Sequence, residues 1–459
     1  MTRVKIIATD WFERPVKMRL PFQFGSAEVR ETAEAYASVV IEVDGKTIEG
    51  RSAQLMVPRW FDKRPEMSNT DTVTELRDVV RAAMEYAPGQ TGTPISVSRD
   101  LRLDVLRSLK DVPGLAAGFG PALLEMAMID ALCRAKEVPF WRAAQSDLFG
   151  LADGAPKDVS AKTVTQSLSG IKAPKQIALR HTIGFDAPLR AGDLGPDAPG
   201  DGKPVALDQV IAQTGISGFK IKLKGDPEAD LARLRAIAAV IDDVPGITVT
   251  LDANEQYAPD SFDDFLSRFS ADEACARVFQ ATRFVEQPFA REIALETPVS
   301  SLLPLVIDES DSAEEVFPRA LELGWSGTSI KSCKGVLRAL LNRARAEVAG
   351  AVLSGEDLTC QPGLCWQQDT AMMAACGVRD VERNGHHFAG GMQGASEAER
   401  QLFLAAHPDI YTAPCDGVTL QIKGGYVALG SLDVPGFGCD QSALAGIDET
   451  QTLTHSRQL

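Results

Sequence analysis

Short apolar runs, rich in β-branched side chains, recur between residues 177 and 382. Stretches with apolar positions at helical spacing fill most of the intervals, as at 227–243 and 312–324. Regular alternation of strands with helices is typical of a parallel α/β barrel. The pattern predicts eight strands, of which the last is short: 177–184, 217–223, 247–253, 282–287, 304–308, 326–331, 350–354 and 378–382.

Residues 1–150 lack this rhythm. The alternating runs VKIIATDWFE and AYASVVIEVDGKTIEGRSAQL predict antiparallel strands, with a turn at Asp44 to Lys46. Helical spacing predicts helices over 71–87 and 119–136. We therefore expect an α+β domain over residues 1–150 beside a barrel over 151–400, with the segment 400–459 packed against the first domain.

The interval at 185–206 differs from the others. It is rich in Gly, Pro and Asp and too irregular for a helix. Because it follows the first barrel strand, it would lie over the barrel mouth as a lid or a specificity loop. A solvated insertion is the alternative.

The composition excludes several classes of protein. The net charge of -16 argues against nucleic-acid and anionic-membrane partners, which need a basic surface. The eight cysteines of this 459-residue chain form no CxxC pair, which favours reduced thiols over a disulfide framework. The first residues have no apolar core of signal-peptide length, and no stretch approaches 18 uninterrupted apolar residues. These features predict a cytoplasmic protein.

Two lysines share one face of the second predicted barrel strand. Lys220 and Lys222 in GFKIKLK are two residues apart, so both point to the side opposite Phe219 and Ile221. Adjacent ammonium groups inside a barrel would lower the pKa of at least one lysine, which makes it a usable base. A surface strand with solvated lysines is the alternative.

Three carboxylates end three successive apolar strands. They are Asp252 in ITVTLDAN, Glu286 in TRFVEQP and Asp308 in LPLVIDES. Neighbouring strands lie ~4.8 Å apart, so acids at one level can converge on one cation. Oxygen ligands select a hard cation such as Mg²⁺ or Mn²⁺. Each acid alone could instead cap the helix that follows its strand.

The ordered set KIK, DAN, EQP, DES and IK resembles the pattern of the enolase superfamily, specifically the muconate lactonizing enzyme subgroup and its mandelate racemase-like relatives. The resemblance covers nearly the whole chain and implies an α/β fold, a (β/α)7β modified TIM barrel with an N-terminal α+β capping domain. It implies that Mg²⁺, with Mn²⁺ as an alternative, binds Asp252, Glu286 and Asp308. Lys222 and Lys331 would be acid/base groups on opposite faces of the substrate, and Lys220 would assist electrostatically.

Two features depart from that pattern. The 34-residue interval between Asp252 and Glu286 predicts an extended third helix. None of the five histidines stands where Lys331 does, so a pair of lysines is favoured over a lysine and a histidine.

Substrate contacts are expected from the rest of the barrel mouth. Glu356 ends the seventh strand, and Asp380 or Glu382 ends the eighth. His181, near the end of the first strand, would line the pocket, with a buried structural histidine as the alternative. Arg59 lies in a capping-domain segment, 54–64, that would close over the site.

This chemistry fits removal of a proton α to a carboxylate, because a divalent cation and ammonium groups stabilise the resulting ene-diolate. The resemblance implies the same reaction, since enzymes of the enolase superfamily combine a Lys or His base with Mg²⁺ to form an ene-diolate. We expect a small carboxylic acid substrate and racemisation, epimerisation, dehydration or cycloisomerisation, in a homo-oligomer. A non-catalytic carboxylate-binding or scaffold barrel is the alternative.

Overall fold

The computed structural model describes residues 2–25, 27–414, 417–447 and 455–458. Its strands are, in chain order, β1 Val4–Phe24, β2 Ala27–Val43, β3 Lys46–Met56, β4 Thr91–Gly92, β5 Gln176–Ile183, β6 Gly218–Lys222, β7 Thr248–Asp252, β8 Thr282–Glu286, β9 Leu305–Ile307, β10 Gly327–Ile330, β11 Val352–Glu356, β12 Asp380–Glu382, β13 Tyr411–Thr412, β14 Thr419–Leu420, β15 Tyr426–Ala428 and β16 His455–Gln458.

The α-helices of the same residues range from one turn to five turns. They are α1 Asn69–Tyr86, α2 Pro94–Ser108, α3 Gly114–Ala117, α4 Phe119–Ala135, α5 Phe140–Gln145, α6 Ala161–Ser169, α7 Leu207–Thr214, α8 Pro227–Ile241, α9 Pro259–Ala271, α10 Ala276–Ala281, α11 Val316–Glu322, α12 Val336–Ala349, α13 Leu364–Ala375, α14 Gly385–Phe388, α15 Glu397–Ala406 and α16 Gln441–Ala445.

The N-terminal sheet is antiparallel, as the alternating runs predict. Strands β1, β2 and β3 pair in sequence order, and β4 and β16 both pair with β1. The predicted turn joins β2 to β3, where Val43 lies opposite Lys46. Asp44 and Gly45 have φ values of 50° and 75°, the left-handed pair that a two-residue hairpin turn requires.

Helices α1 and α4 pack against this sheet. Ser68 begins α1 with a capping box, in which its side chain and that of Asp71 each bind the other's backbone N–H. The helical stretch Gly114–Ala135 has the length and apolarity of a membrane span, but its apolar 18-residue window is entirely buried inside the protein. Gly50 of β3 lies so close to α4 that an added Cβ would stand 2.2 Å from the Ala131 nitrogen.

Strands β5 to β12 form a closed parallel barrel. They follow one another in sequence order, and β12 pairs back onto β5, with Val381 opposite Leu179. All eight strands predicted from the apolar runs are present, including the short last one. Parallel strands direct their carboxyl ends to one face, so the barrel has a single mouth where the strand-ending side chains meet.

The barrel departs from a regular repeat in two places. The interval between β7 and β8 holds two helices, α9 and α10, with a 3₁₀ turn at Glu273–Cys275. The single extended helix expected there is therefore wrong. Between β8 and β9, the described residues contain turns but no α-helix.

The segment after the barrel contacts both sheets. Strand β15 pairs antiparallel with the start of β5, and the Phe437 backbone N–H donates to Asp130 of α4. His407 is buried, with Nδ1 bonded to the Ser431 hydroxyl and Nε2 accepting from the Asp440 backbone N–H. The division at residues 150 and 400 stays a prediction. The seven described cysteines are free thiols, and Cys415 lies outside the described residues.

Candidate active site

Strand register brings the predicted acids and amines to one level of the barrel. Lys222 lies opposite Asp252 on the neighbouring strand, and Asp252 lies opposite Glu286 on the next. Asp308 and Lys331 directly follow β9 and β10. Strands β6 and β10 are four apart in a barrel of eight, so Lys222 and Lys331 approach the mouth from opposite sides.

Lys220 lies among carboxylates from four strands. Its Nζ is 2.8 Å from Glu286, 2.8 Å from Glu356, 2.8 Å from Glu382 and 3.0 Å from Asp252. Burial alone would lower the pKa of Lys220, but these carboxylates outweigh it and hold the pKa well above its ordinary value. The lowered pKa expected from the lysine pair is wrong for Lys220, because four acids from distant parts of the chain face it.

Lys222 is held at the mouth by two neighbours on the strand beside it. Its Nζ donates to Asp252 Oδ2 at 2.6 Å and to Asn254 Oδ1 at 2.9 Å. The Asn254 backbone N–H in turn donates to Asp252 Oδ1 at 3.0 Å. Lys222 is therefore positioned by the DAN segment, and its ammonium group lies beside the Lys220 ammonium on a shared carboxylate.

Lys331 reaches the same group of acids from the other side. Its Nζ donates to Asp308 Oδ1 at 2.5 Å and to Glu356 Oε2 at 3.0 Å, and it lies 5.0 Å above the Trp60 ring. Burial lowers the pKa of Lys331, yet Asp308 and Glu356 outweigh burial and raise it well above its ordinary value. Lys334 adds a second ammonium, which donates to Asp308 Oδ1 at 2.9 Å.

Glu286 is the acid that this network leaves least satisfied. It is fully buried, and neither of its oxygens accepts a hydrogen bond from the described residues, although Lys220 lies within ion-pair distance. Burial, followed by repulsion from Asp252 and Glu356, raises its pKa well above the ordinary value. A buried carboxylate without hydrogen bonds is costly, and a bound cation removes that cost.

The set of residues fits a hard divalent cation. Among the described residues, five carboxylates lie within 3.0 Å of the ammonium groups of Lys220, Lys222, Lys331 and Lys334. They are Asp252, Glu286, Asp308, Glu356 and Glu382. The carboxylates outnumber the lysines, and the donors are all oxygen, which Mg²⁺ and Mn²⁺ prefer.

The geometry differs from the predicted trio in one member. In the described part of the chain, the three carboxylates that each place one oxygen within 4.8 Å of the others are those of Glu286, Asp308 and Glu356. Asp252 is instead held by the two lysines of β6. Glu356 is also bound from the barrel interior, where Ser354 donates to it at 2.5 Å and Arg180 lies 3.5 Å away. Glu286 and Asp308 are thus common to both sets.

The remaining predicted substrate contacts lie in three different places. Glu382 faces the site, bonded to Lys220, whereas Asp380 pairs with Arg180 at 2.7 Å, nearer the start of the strands. His181 lines a separate pocket beside the site. Arg59 lines a cleft on the other side and donates to the Met67 carbonyl.

Sequence reasoning missed two residues of the site. Asn254 closes the DAN segment, and its position two residues after Asp252 is the signal that both face the mouth. Lys334 follows Lys331 by three residues, and the 3₁₀ turn Ser332–Lys334 brings it back onto Asp308. A one-turn spacing after a strand-ending lysine is the signal that would have found it.

The N-terminal domain closes the site. A cavity of about 20 Å³, close to the room one water needs, lies between the acids and lysines and three aromatic residues, Phe22, Phe24 and Trp60. From the barrel, Leu358 and Thr359 complete the cover. Any substrate must therefore displace part of this cover on entry.

The sequence profile of the family described as enolase C-terminal domain-like matches residues 205–441, which is 237 of 459 residues. The chain belongs to the enolase superfamily. The matched region holds β6 to β12, and with them every acid and lysine of the site.

Solved structures of this superfamily share the fold over almost the whole chain. A muconate lactonizing enzyme from Pseudomonas fluorescens, complexed with muconolactone, is 17% identical with a TM-score of 0.61, covering 96% of this chain and 98% of its own. The L-Ala-D/L-Glu epimerase from Bacillus subtilis is 16% identical with a TM-score of 0.58, covering 95% and 98%. An enolase from Bradyrhizobium, complexed with magnesium and mandelic acid, is 17% identical with a TM-score of 0.59, covering 97% and 99%. No curated protein sequence matches significantly.

Proposed function

We propose that this protein is a Mg²⁺-dependent enzyme that removes the proton α to the carboxylate of a small carboxylic acid. The observation that carries the proposal is the placement of Lys222 and Lys331 on opposite sides of one closed cavity, beside the poorly satisfied carboxylate of Glu286. Solved structures with this architecture include a cycloisomerase and an epimerase.

Asp252, Glu286 and Asp308 would hold the cation, because they stand at the ends of three adjacent strands, whereas Glu356 ends β11, two strands beyond β9. When bound, Mg²⁺ supplies positive charge that neutralises the substrate carboxylate and the acids that now raise the lysine pKa values.

The lysines divide the proton chemistry between them. Lys222 and Lys331 stand on opposite faces, so one can take the α-proton while the other donates a proton from the opposite side. Lys220, with its pKa held high by four acids, stays protonated and provides positive charge beside the substrate carboxylate. Trp60 covers Lys331 and excludes water from it.

The same half-reaction precedes several products. Reprotonation on the opposite face gives racemisation or epimerisation, loss of a β-substituent gives dehydration, and the same intermediate links to cycloisomerisation. The product analysis, rather than the site, separates these reactions.

Exchange of the α-proton with solvent tests the proposal. Carboxylic acids incubated in D₂O with the protein and Mg²⁺ are expected to lose their α-proton signal in NMR spectra, and Lys222→Ala and Lys331→Ala should each slow exchange at least about 100-fold, the usual contribution of a positioned acid or base. Lys224→Ala is the matched control, because that ammonium group lies half exposed beside Asp186.

The alternative, a carboxylate-binding or scaffold barrel, gives a different result. In that case no acid exchanges, and the two alanine variants bind carboxylic acids as the unaltered protein does.

A further inference from the structure

A second pocket adjoins the catalytic cavity at the first barrel strand. It has a volume of about 210 Å³ and lies between the end of β5, residues 20–23 of β1 and the segment that begins at Asp186. Phe22 lines both this pocket and the catalytic cavity. We call it the β5 pocket. A 150 Å³ cavity holds benzene, so this volume accommodates one ring or a short branched chain.

Hydrogen bonds connect the β5 pocket to the catalytic lysines. Thr182 lines the pocket, and its hydroxyl donates to Glu382. The other Glu382 oxygen accepts from Lys220 at 2.8 Å. Phe22 therefore separates the pocket from the site of Lys220, and a ligand that holds its carboxylate near Lys220 would reach the pocket by displacing the Phe22 side chain.

The interior of the pocket is mostly apolar. Ile183, Leu207 and Phe388 are buried side chains in its wall. His181 and His387 are also buried there, with ring centroids 4.9 Å apart. Burial lowers the pKa of His181 to about 4, so its ring is neutral at physiological pH. A neutral wall of this kind takes an uncharged group.

His181 provides one polar contact. It is 5% exposed, and its Nδ1 has no hydrogen-bond partner among the described residues. Nδ1 is shielded from solvent, so a ligand hydroxyl reaches it only when the ring turns toward the pocket. A hydroxyl group, which both donates and accepts, then satisfies Nδ1 in either tautomer of the ring. An unsatisfied buried nitrogen costs free energy, so a ligand that supplies this bond gains affinity.

Charge at the rim limits the ligand further. The charged residues that line the described pocket are two carboxylates, Glu28 and Asp186, with side chains 37% and 72% exposed. No lysine or arginine is among those lining residues, and the nearby cations Arg30 and Lys224 already pair with the two carboxylates. A second anionic group therefore finds no free cation among the lining residues, and a cationic group finds acids that are already paired.

We infer that the β5 pocket selects the distal part of the substrate, and that this part is an uncharged apolar group carrying one hydroxyl. The inference rests on the proposed function in that it treats the ligand as a substrate, but the pocket's preference for such a group is independent of catalysis. His181 is then a specificity-determining residue.

Binding of a small neutral probe tests the pocket directly. Benzyl alcohol, titrated calorimetrically into the protein, is expected to bind. Ala187→Trp should weaken this binding at least tenfold, because Ala187 is partly exposed and lines the pocket. Leu302→Trp, at a 64% exposed site, is the control and should bind as the unaltered protein does. If the circular dichroism spectrum shows that Ala187→Trp does not fold, Val205→Trp is measured instead.

A second variant tests the hydrogen bond. His181→Phe keeps the apolar wall. It should weaken the binding of benzyl alcohol about fivefold and leave the binding of toluene unchanged, as expected for the loss of one hydrogen bond of about 1 kcal/mol. Equal binding of benzyl alcohol to all variants, or none to the unaltered protein, overturns the inference.

Exchange with three acids separates this inference from the proposed function. We expect 2-hydroxy-4-(4-hydroxyphenyl)butanoate to exchange its α-proton at least tenfold faster than 2-hydroxypentanedioate or 2-hydroxy-5-aminopentanoate. If the diacid or the amino acid is preferred, the pocket inference is wrong and the function stands. If no acid exchanges but benzyl alcohol binds as described, the function is wrong and the pocket stands.

Discussion

Replacement of Glu286 by glutamine tests whether the site is built for a cation. Glu286 is buried, accepts no hydrogen bond from the residues that the structure describes, and is repelled by Asp252 and Glu356. Two unit charges 4 Å apart repel by ~4 kcal/mol at an effective dielectric constant of 20. Lys220, 2.8 Å away, offsets much of this repulsion. We therefore expect the metal-free Glu286→Gln protein to be more stable than the unaltered one by about 1–2 kcal/mol.

Mg²⁺ should reverse that order. A ligand at 100 times its Kd stabilises a folded protein by ~2.7 kcal/mol, and a variant that lacks one ligand gains far less. The assay is urea unfolding followed by circular dichroism at pH 7.5, with EDTA or with saturating Mg²⁺. We expect the unaltered protein to gain about 2.7 kcal/mol and Glu286→Gln to gain less than about 0.5 kcal/mol under the same conditions.

Glu309→Gln is the matched control. Glu309 is also buried and follows Asp308 directly, but it is paired with Lys63 at 3.0 Å and accepts from Asn254 at 3.2 Å. This variant should lose stability without metal and keep the gain from Mg²⁺. The reasoning is refuted if Glu286→Gln gains as much from Mg²⁺ as the unaltered protein does. A metal-free loss of about 3 kcal/mol, as for a broken buried ion pair, also refutes it.

Three further predictions follow from the packing. Gly50→Ala should lower the free energy of unfolding by about 1–3 kcal/mol, because the new Cβ would collide with the backbone of α4. Gly192→Ala is the control, since a Cβ there meets no atom within 4 Å, and equal stability of the two variants would contradict the prediction. Burial lowers the pKa of His407 to about 4, so the unfolded chain binds more protons below pH 6.5 and the free energy of unfolding falls as the pH drops. We expect His407 to contribute about 1 kcal/mol of this fall between pH 7.5 and 5.5, and this contribution should vanish in His407→Gln. An unchanged pH dependence of the variant's stability would show that another group is responsible. Trp60→Leu should slow exchange of the α-proton about tenfold, because it opens Lys331 to water. Trp60→Phe keeps an aromatic ring over Lys331 and should exchange faster than Trp60→Leu. Identical rates for the two variants would exclude this role of Trp60.

The barrel and the residues at its mouth were predictable because both depend on local sequence. A strand of five residues fixes which side chains share a face, and parallel pairing places every strand end at one mouth. Lys222, Asp252 and Glu286 therefore lie opposite one another, as the three strand-ending runs indicate.

The contacts that depend on distant segments were not predictable in the same way. Asp252 and Glu286, which the sequence places at the mouth, raise the pKa of Lys220 most. Nothing near Lys220 in the sequence shows that Glu356 and Glu382, more than 130 residues later, would add to this effect. Arg59 and His181 lie in the expected segments, yet the packing of the two domains directs each to a cavity beside the site. The 34-residue interval after Asp252 indicated additional residues between β7 and β8, but not that they would form two helices, α9 and α10.

A crystal structure of the protein grown with Mn²⁺ tests the central claim most directly, because the anomalous signal of manganese locates the cation. We predict one anomalous peak at the barrel mouth, bound by Asp252, Glu286 and Asp308, with the ammonium groups of Lys222 and Lys331 on opposite sides of the space next to it. No peak at the mouth, or a peak there with both lysines on the same side or pointing away, would contradict the account.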